Sequence, residues 1–125
     1  MIELSKAEFA VMEALWQGHP AKANDIIGRL SDHSDWHEKT IKTLLGRLVK
    51  KQAIDFTKEG REYIYRPLIS REEYTLKASR SFLSHFFNGR LTPLISGFAK
   101  SQQLSQQDID ELKQVIQDWE NQKER

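Results

Sequence analysis

Apolar residues recur with a helical period in three stretches of the amino-terminal half. Phe9, Met12 and Trp16 share one side of a first predicted helix, with Val11 and Leu15 beside them. Ser5, followed three residues later by Glu8, forms the capping box that opens this helix, and Gly18 then Pro20 close it. After a short connector at 19–21, Ala23, Ile26, Ile27 and Leu30 repeat at i, i+3, i+4, i+7, which predicts a second helix. It should stop near the polar cluster Ser31, Asp32, His33, Ser34 and Asp35. The third stretch, 38–51, carries Ile41, Leu44, Leu45, Leu48 and Val49 on one stripe.

Beyond Gln52 the pattern turns strand-like. Ile54 and Phe56, then Tyr63, Ile64 and Tyr65, are β-branched or aromatic and flank the polar stretch 57–62. This predicts a two-stranded hairpin with Gly60 and Arg61 near its tip, closed at Pro67, which has no ladder donor. A second capping box, Ser70 with Glu73, opens a long helix carrying Tyr74, Ala78, Phe82, Leu83, Phe86 and Phe87 and ending at Asn88-Gly89. Thr92 as N-cap with Pro93 at the first helical position predicts a short helix through Leu94, Ile95, Phe98 and Ala99. Ser105 caps a last helix in which Ile109, Leu112, Ile116 and Trp119 are spaced like a coiled-coil seam. Residues 122–125 are expected to fray.

The face of 38–51 away from its stripe changes the picture. Lys39, Thr40, Thr43, Arg47 and Lys50 project there, with Lys42 at the edge, and cations with hydroxyls suit phosphates and base edges. A solvated helix face would look the same, so the neighbours decide. Three short helices followed by a hairpin, with the basic face on the third, is the order of a winged helix-turn-helix. The expected fold is mainly α with a small β-hairpin. It comprises a winged helix-turn-helix DNA-binding domain at 1–69 and a helical dimerisation region at 70–125. The third helix would enter a major groove, with Thr40 and Thr43 nearest the bases and Arg47, Lys50 and Lys51 towards the backbone. Lys58 and Arg61 on the hairpin would reach the adjacent groove.

Net charge is only +1, but its distribution is uneven: 37–61 carries a local net of +4 and 100–125 a local net of −2. That asymmetry fits a basic working face and a tail with another task. The aromatics Phe82, Phe86, Phe87, Phe98 and Trp119 are more apolar surface than so small a tail can enclose. Together with Tyr74, Ile109, Leu112 and Ile116 they are the expected homodimer interface, which would present two recognition helices to a palindromic site. No apolar run approaches the roughly 20 residues that span a bilayer, and 1–10 does not resemble a signal peptide. A cytoplasmic protein without membrane contact is expected. The chain has no cysteine, which excludes disulfides, thiolate metal sites and a cysteine nucleophile.

Catalysis is the weaker alternative. The histidines 19, 33, 37 and 85 lie among scattered acids, without a glycine-rich phosphate loop or a nucleophile elbow, and His33 with His37 straddles a loop and a helix start. No enzyme activity, cofactor or metal is expected. A winged helix used only for protein contact remains a competing reading, and it would lack the steep salt dependence of duplex binding.

The chain resembles the BlaI/MecI/CopY family of bacterial transcriptional repressors over nearly its whole length. The matching residues are Leu4 to Phe9 with Val11, Met12, Leu15 and Trp16, then Lys39 to Leu45 with Arg47 to Lys51. They continue through Glu59, Gly60, Arg61, Tyr63 to Tyr65, Pro67 and Leu68 to Ser70–Tyr74. The resemblance implies a dimeric winged-helix repressor that occupies an operator until a signal, received in some members by a membrane-bound sensor protein, releases it. Copper-responsive members carry a carboxy-terminal cysteine motif that is absent here, which excludes thiolate copper sensing. In β-lactam-responsive members cleavage falls at an Asn-Phe bond whose counterpart here is Gly97-Phe98, so the sequence leaves open whether cleavage there or another route inactivates this chain. His37-Glu38 stands where relatives often have Ser-Pro.

Overall fold

Ser5 begins the first helix by the reciprocal bonding its position predicts. Its Oγ accepts the Glu8 amide at 3.1 Å while the Glu8 carboxylate accepts the Ser5 amide at 2.8 Å. The computed structural model describes residues 2–31 and 35–123, and the elements run α1 (Lys6–Trp16), β1 (Ala21–Lys22), α2 (Ala23–Ser31), α3 (Glu38–Lys50), β2 (Ile54–Glu59), β3 (Glu62–Pro67), α4 (Arg71–Phe87), α5 (Thr92–Lys100) and α6 (Gln106–Lys123). Part of the polar cluster after α2, including His33, and the last two residues of the expected frayed end lie outside the described residues. Gln122 and Lys123 are helical. The chain divides into two compact units, Met1–Ser79 and Arg80–Arg125, and α4 begins in the first and continues into the second.

In the first unit the three predicted stripes converge. Val11, Met12 and Leu15 of α1, Ile26 and Leu30 of α2, and Ile41, Leu44, Leu45 and Leu48 of α3 are buried in one cluster with Ala53, just before the sheet, and with Ile54 and Tyr65 from it. Each large aliphatic side chain so enclosed contributes about 1.5–3 kcal/mol relative to leaving it in water. Phe9, Trp16, Ile27 and Val49, on the margins of the same stripes, are half-buried.

The hairpin has a two-residue turn. Register runs from Ile54 opposite Pro67 to Glu59 opposite Glu62, and Gly60 turns the corner at φ 64°, which a side chain would disfavour. The strands therefore extend through 57–59, which the polar composition had marked as loop. Cross-strand pairing holds them, since their solvent face needs no apolar residue. The structure also adds a strand where a connector was expected. Ala21 and Lys22 pair with Tyr65 and Ile64, giving a three-stranded sheet of order β1-β3-β2. Two residues carry no detectable period.

Two further ties were not legible in the pattern. Arg29 of α2 donates from Nη1 to the carbonyls of Ala14 and Gly18 at 2.8 and 2.7 Å, satisfying acceptors at the end of α1. At the end of α3, Gln52 adopts a left-handed φ of 63°, and the Ala53 amide returns to the Leu48 carbonyl at 3.0 Å, a Schellman-type closure. The beginning of α4 is fixed to α1: Tyr74 packs against Phe9 and Trp16 with ring centroids 5.7 and 6.5 Å apart, and Arg71 pairs with Glu13. The Ser70 hydroxyl caps this helix by accepting the Glu73 amide.

The second unit is built differently. None of the described residues of α4, α5 or α6 is buried. The α4 helix ends through Asn88 and Gly89, both at positive φ, with the Gly89 amide bonded back to the Leu83 carbonyl at 2.8 Å. Thr92, expected as an N-cap, is instead the first residue of α5. Leu91 precedes it without a side-chain cap, and Pro93 takes an early helical position that needs no amide. Ser105 caps α6 as expected, its Oγ accepting the Asp108 amide at 3.0 Å. Along α6, Gln106–Asp110, Gln107–Glu111 and Gln114–Asp118 bond at i,i+4, which supports the helix from its own polar side.

Candidate nucleic-acid interface

The α3 helix buries Ile41, Leu44, Leu45 and Leu48 and exposes Lys39, Thr40, Lys42, Thr43, Arg47 and Lys50. One side is fixed by the core, so the other is held in a constant attitude. His37 precedes the helix without a side-chain cap, and Glu38 in the first turn pairs with Lys42 at 3.0 Å. That exposed pair moderates the charge of both partners and adds little stability. Thr43 donates its hydroxyl to the Lys39 carbonyl at 3.0 Å. Its exposed oxygen still has lone pairs with which to accept a hydrogen bond.

Helix and hairpin meet around one concavity of about 420 Å³ lined by Lys22, Asn24, Lys42, Arg61, Tyr63 and Tyr65 among others. Lys42 and Arg61, separated by 19 positions, are thus brought to one place. Lys58 is exposed farther along the hairpin, opposite Tyr63. Lys22 and Tyr63 were not among the sequence candidates. The first reaches the concavity only through the two-residue strand β1, and the second belongs to a ladder in which Phe56 and Tyr63 rings lie 4.7 Å apart. Lys22 pairs with Glu62 at 2.8 Å, which raises its pKa. The Tyr65 hydroxyl is also pushed up, by burial first and by Tyr63 second, against the opposing pull of Lys42.

Lys51 departs from the expected pattern. Its ammonium lies 2.6 Å from Glu8 Oε1 and 2.7 Å from the Glu3 carbonyl, turned to the start of α1. Of the residues expected at a dimer interface, Tyr74 is half-buried against Phe9 and Trp16 in the first unit. Phe82, Phe86, Phe98, Ile116 and Trp119 are exposed, and Phe87, Ile109 and Leu112 are half-buried. His33 is outside the described residues, so a His33–His37 pair has no described geometry.

The family described as penicillinase repressor matches residues 4–118. The chain belongs to this family. It is 40% identical to the penicillinase repressor of Bacillus licheniformis, an alignment covering 97% of this chain and 94% of the relative. It is 35% identical to the methicillin resistance regulatory protein MecI of Staphylococcus aureus, over 91% and 93% of the two chains. Among solved structures, the DNA-binding domain of the repressor BlaI matches with a TM-score of 0.54 at 41% identity, covering 58% of this chain and 89% of that one. The monomeric Bacillus licheniformis BlaI bound to the blaP half-operator matches with a TM-score of 0.52 at 41% identity, over 59% and 92%. These likenesses bear out the winged helix-turn-helix architecture, and the family is one of repressors rather than enzymes. No helix among the described residues is long and apolar enough to cross a membrane.

Proposed function

We propose that this protein is a cytoplasmic transcriptional repressor that binds a palindromic operator as a homodimer, reads it with α3 and is released by a signal acting on the bound form. The observation that carries the reading is the division of α3 into a buried stripe and a face of exposed cations and hydroxyls, in a chain 41% identical to a repressor solved on a half-operator. Residues 1–69 act as the DNA-binding domain and 70–125 as the dimerisation region. Thr40 and Thr43 read base edges, Lys39, Lys42, Arg47 and Lys50 hold phosphates, and Lys58 and Arg61 reach the adjacent groove. The exposed aromatic and aliphatic residues of α4 to α6, from Phe82 to Trp119, meet the same residues of a second copy.

Selection of bound duplexes from a random pool tests this reading. A palindromic consensus is expected, with half-sites about one helical turn or a multiple apart, roughly 34 Å per turn. Arg47→Ala should weaken binding about tenfold on every duplex and lower the slope of log affinity against log salt by about 0.9. Thr43→Ala should instead alter preference at one or two base pairs. A pool that yields no enriched duplex, or two variants that bind like the wild type, would overturn it.

A further inference from the structure

We infer that Lys51 is a positioning residue and not a phosphate contact: with Glu8 and the Glu3 carbonyl it fixes the end of α3 against the start of α1 and so sets how α3 meets a duplex. The inference rests on the DNA-binding reading above. Glu8 is the buried charged residue among those described, 2% exposed, and its Oε2 has no hydrogen-bond partner among them. Its other oxygen takes the Lys51 ammonium at 2.6 Å and the Ser5 amide at 2.8 Å. A carboxylate so enclosed depends on its one cation. If Lys51 swung out to a phosphate, it would leave that charge uncompensated in the interior, a larger penalty than an exposed phosphate contact returns.

Lys51 stands at the C-cap of α3, its own amide bonded to the Arg47 carbonyl at 3.0 Å, so whatever holds its side chain holds the helix end. The anchor is itself fixed. The capping box orders Glu8, and the amide of Leu4, next to Glu3, donates to the Tyr74 hydroxyl at 3.3 Å. Two of the three ammonium donors are thus spent inside the first unit. Among the described residues Lys39, Arg47 and Lys50 make no ion pair and Lys42 pairs only with the exposed Glu38 of its own helix, whereas Lys51 meets a buried carboxylate of another helix. Burial on its own pushes the Glu8 carboxyl up, but the Lys51 bond and the Ser5 bonds outweigh it and hold the group below the usual carboxylate range, hence ionised.

The test uses the full chain with a duplex enriched by the wild-type protein from a random pool, and a scrambled duplex of the same length. Lys51→Met and Glu8→Gln should each weaken binding to the enriched duplex about tenfold. Affinity for the scrambled duplex and the salt slope on both should stay at wild-type values. Lys51→Arg, which keeps a charged donor for Glu8, should retain the discrimination. The double variant Glu8→Leu/Lys51→Met leaves no charge buried alone, so it keeps the comparison available if a single variant unfolds. It too should retain the full salt slope. A slope lowered by about 0.9 in either variant that lacks Lys51 would make Lys51 a phosphate contact and overturn the inference. Wild-type discrimination in both single variants would overturn it as well, while leaving the DNA reading intact. A wild-type chain that enriches no duplex removes both.

Discussion

In the first unit Met12, Leu15, Ile26, Ile41, Leu45 and Leu48 have lost essentially all contact with solvent, whereas in the second unit Phe86 is 64% exposed and Trp119 59% exposed, with no buried residue in α5 or α6. Both regions carry helical apolar stripes of similar quality. The difference lies in what stands opposite. Three helices crossing over a sheet enclose one another's stripes, while the helices of the second unit sustain themselves through caps and i,i+4 bonds and leave Phe82, Phe86, Val115, Ile116 and Trp119 uncovered. A folded chain rarely leaves a large apolar surface in water, and on the proposed reading a second copy, which carries the same residues, is the occupant.

Removing the uncovered region breaks the comparison most severely. Truncation after Leu91 deletes α5 and α6 and should give a monomer by sedimentation. Affinity for a palindromic duplex should fall by about 10²–10⁴-fold, because linked half-sites no longer act together. Affinity for one half-site should change little, since no residue of the α3 face is lost. A truncated chain that still sediments as a dimer would place the interface outside α5 and α6.

Leu45→Ala attacks the other side of the comparison. Leu45 is fully buried in the core cluster of the first unit, and deleting its branch should cost about 3 kcal/mol in urea unfolding. Ile116→Ala, at 55% exposure in the isolated chain, should cost the first unit nothing and act only on the concentration dependence of assembly. If the two substitutions have equal effects on a dilute sample, the units are not independently stabilised.

This contrast also explains what could be read from the sequence. The stripes of α1, α2 and α3, the capping box at Ser5, the serine cap at Ser70 and the Gly60 turn were legible because each depends on residues within a turn or two of one another. So was the division of α3 into a buried stripe and an exposed basic face. What escaped depends on long separation. The β1 strand exists only through pairing with β3, Arg29 serves carbonyls 11 and 15 positions away, and Lys51 finds Glu8 across 43 positions. A periodic pattern records which side of a helix is apolar, but carries no record of which distant charge a cation will meet. Hence the expected residues of α3 lie together on one exposed face, with Lys51 turned to Glu8 and with Lys22 and Tyr63 beside Lys42 and Arg61.

The smallest effects come from the same serine cap placed in the two units. Ser105→Ala removes one bond to the Asp108 amide at an exposed helix end, and should cost about 0.5–1 kcal/mol of helix stability. Ser5→Ala removes the equivalent bond to the Glu8 amide, but there the cap residue also orients a buried carboxylate that Lys51 must meet, so the cost should approach about 2 kcal/mol. Acid should separate the two further. Because Glu8 has its native pKa held below the ordinary value of about 4.3, its ionised form contributes stability that is fully present above that value and is lost as pH falls through the native one. Urea unfolding of the first unit should therefore lose part of its stability below about pH 4, and Glu8→Gln should flatten that part of the profile. Equal costs for the two serines, together with an acid profile unchanged by Glu8→Gln, would reduce the Glu8–Lys51 tie to an ordinary surface pair.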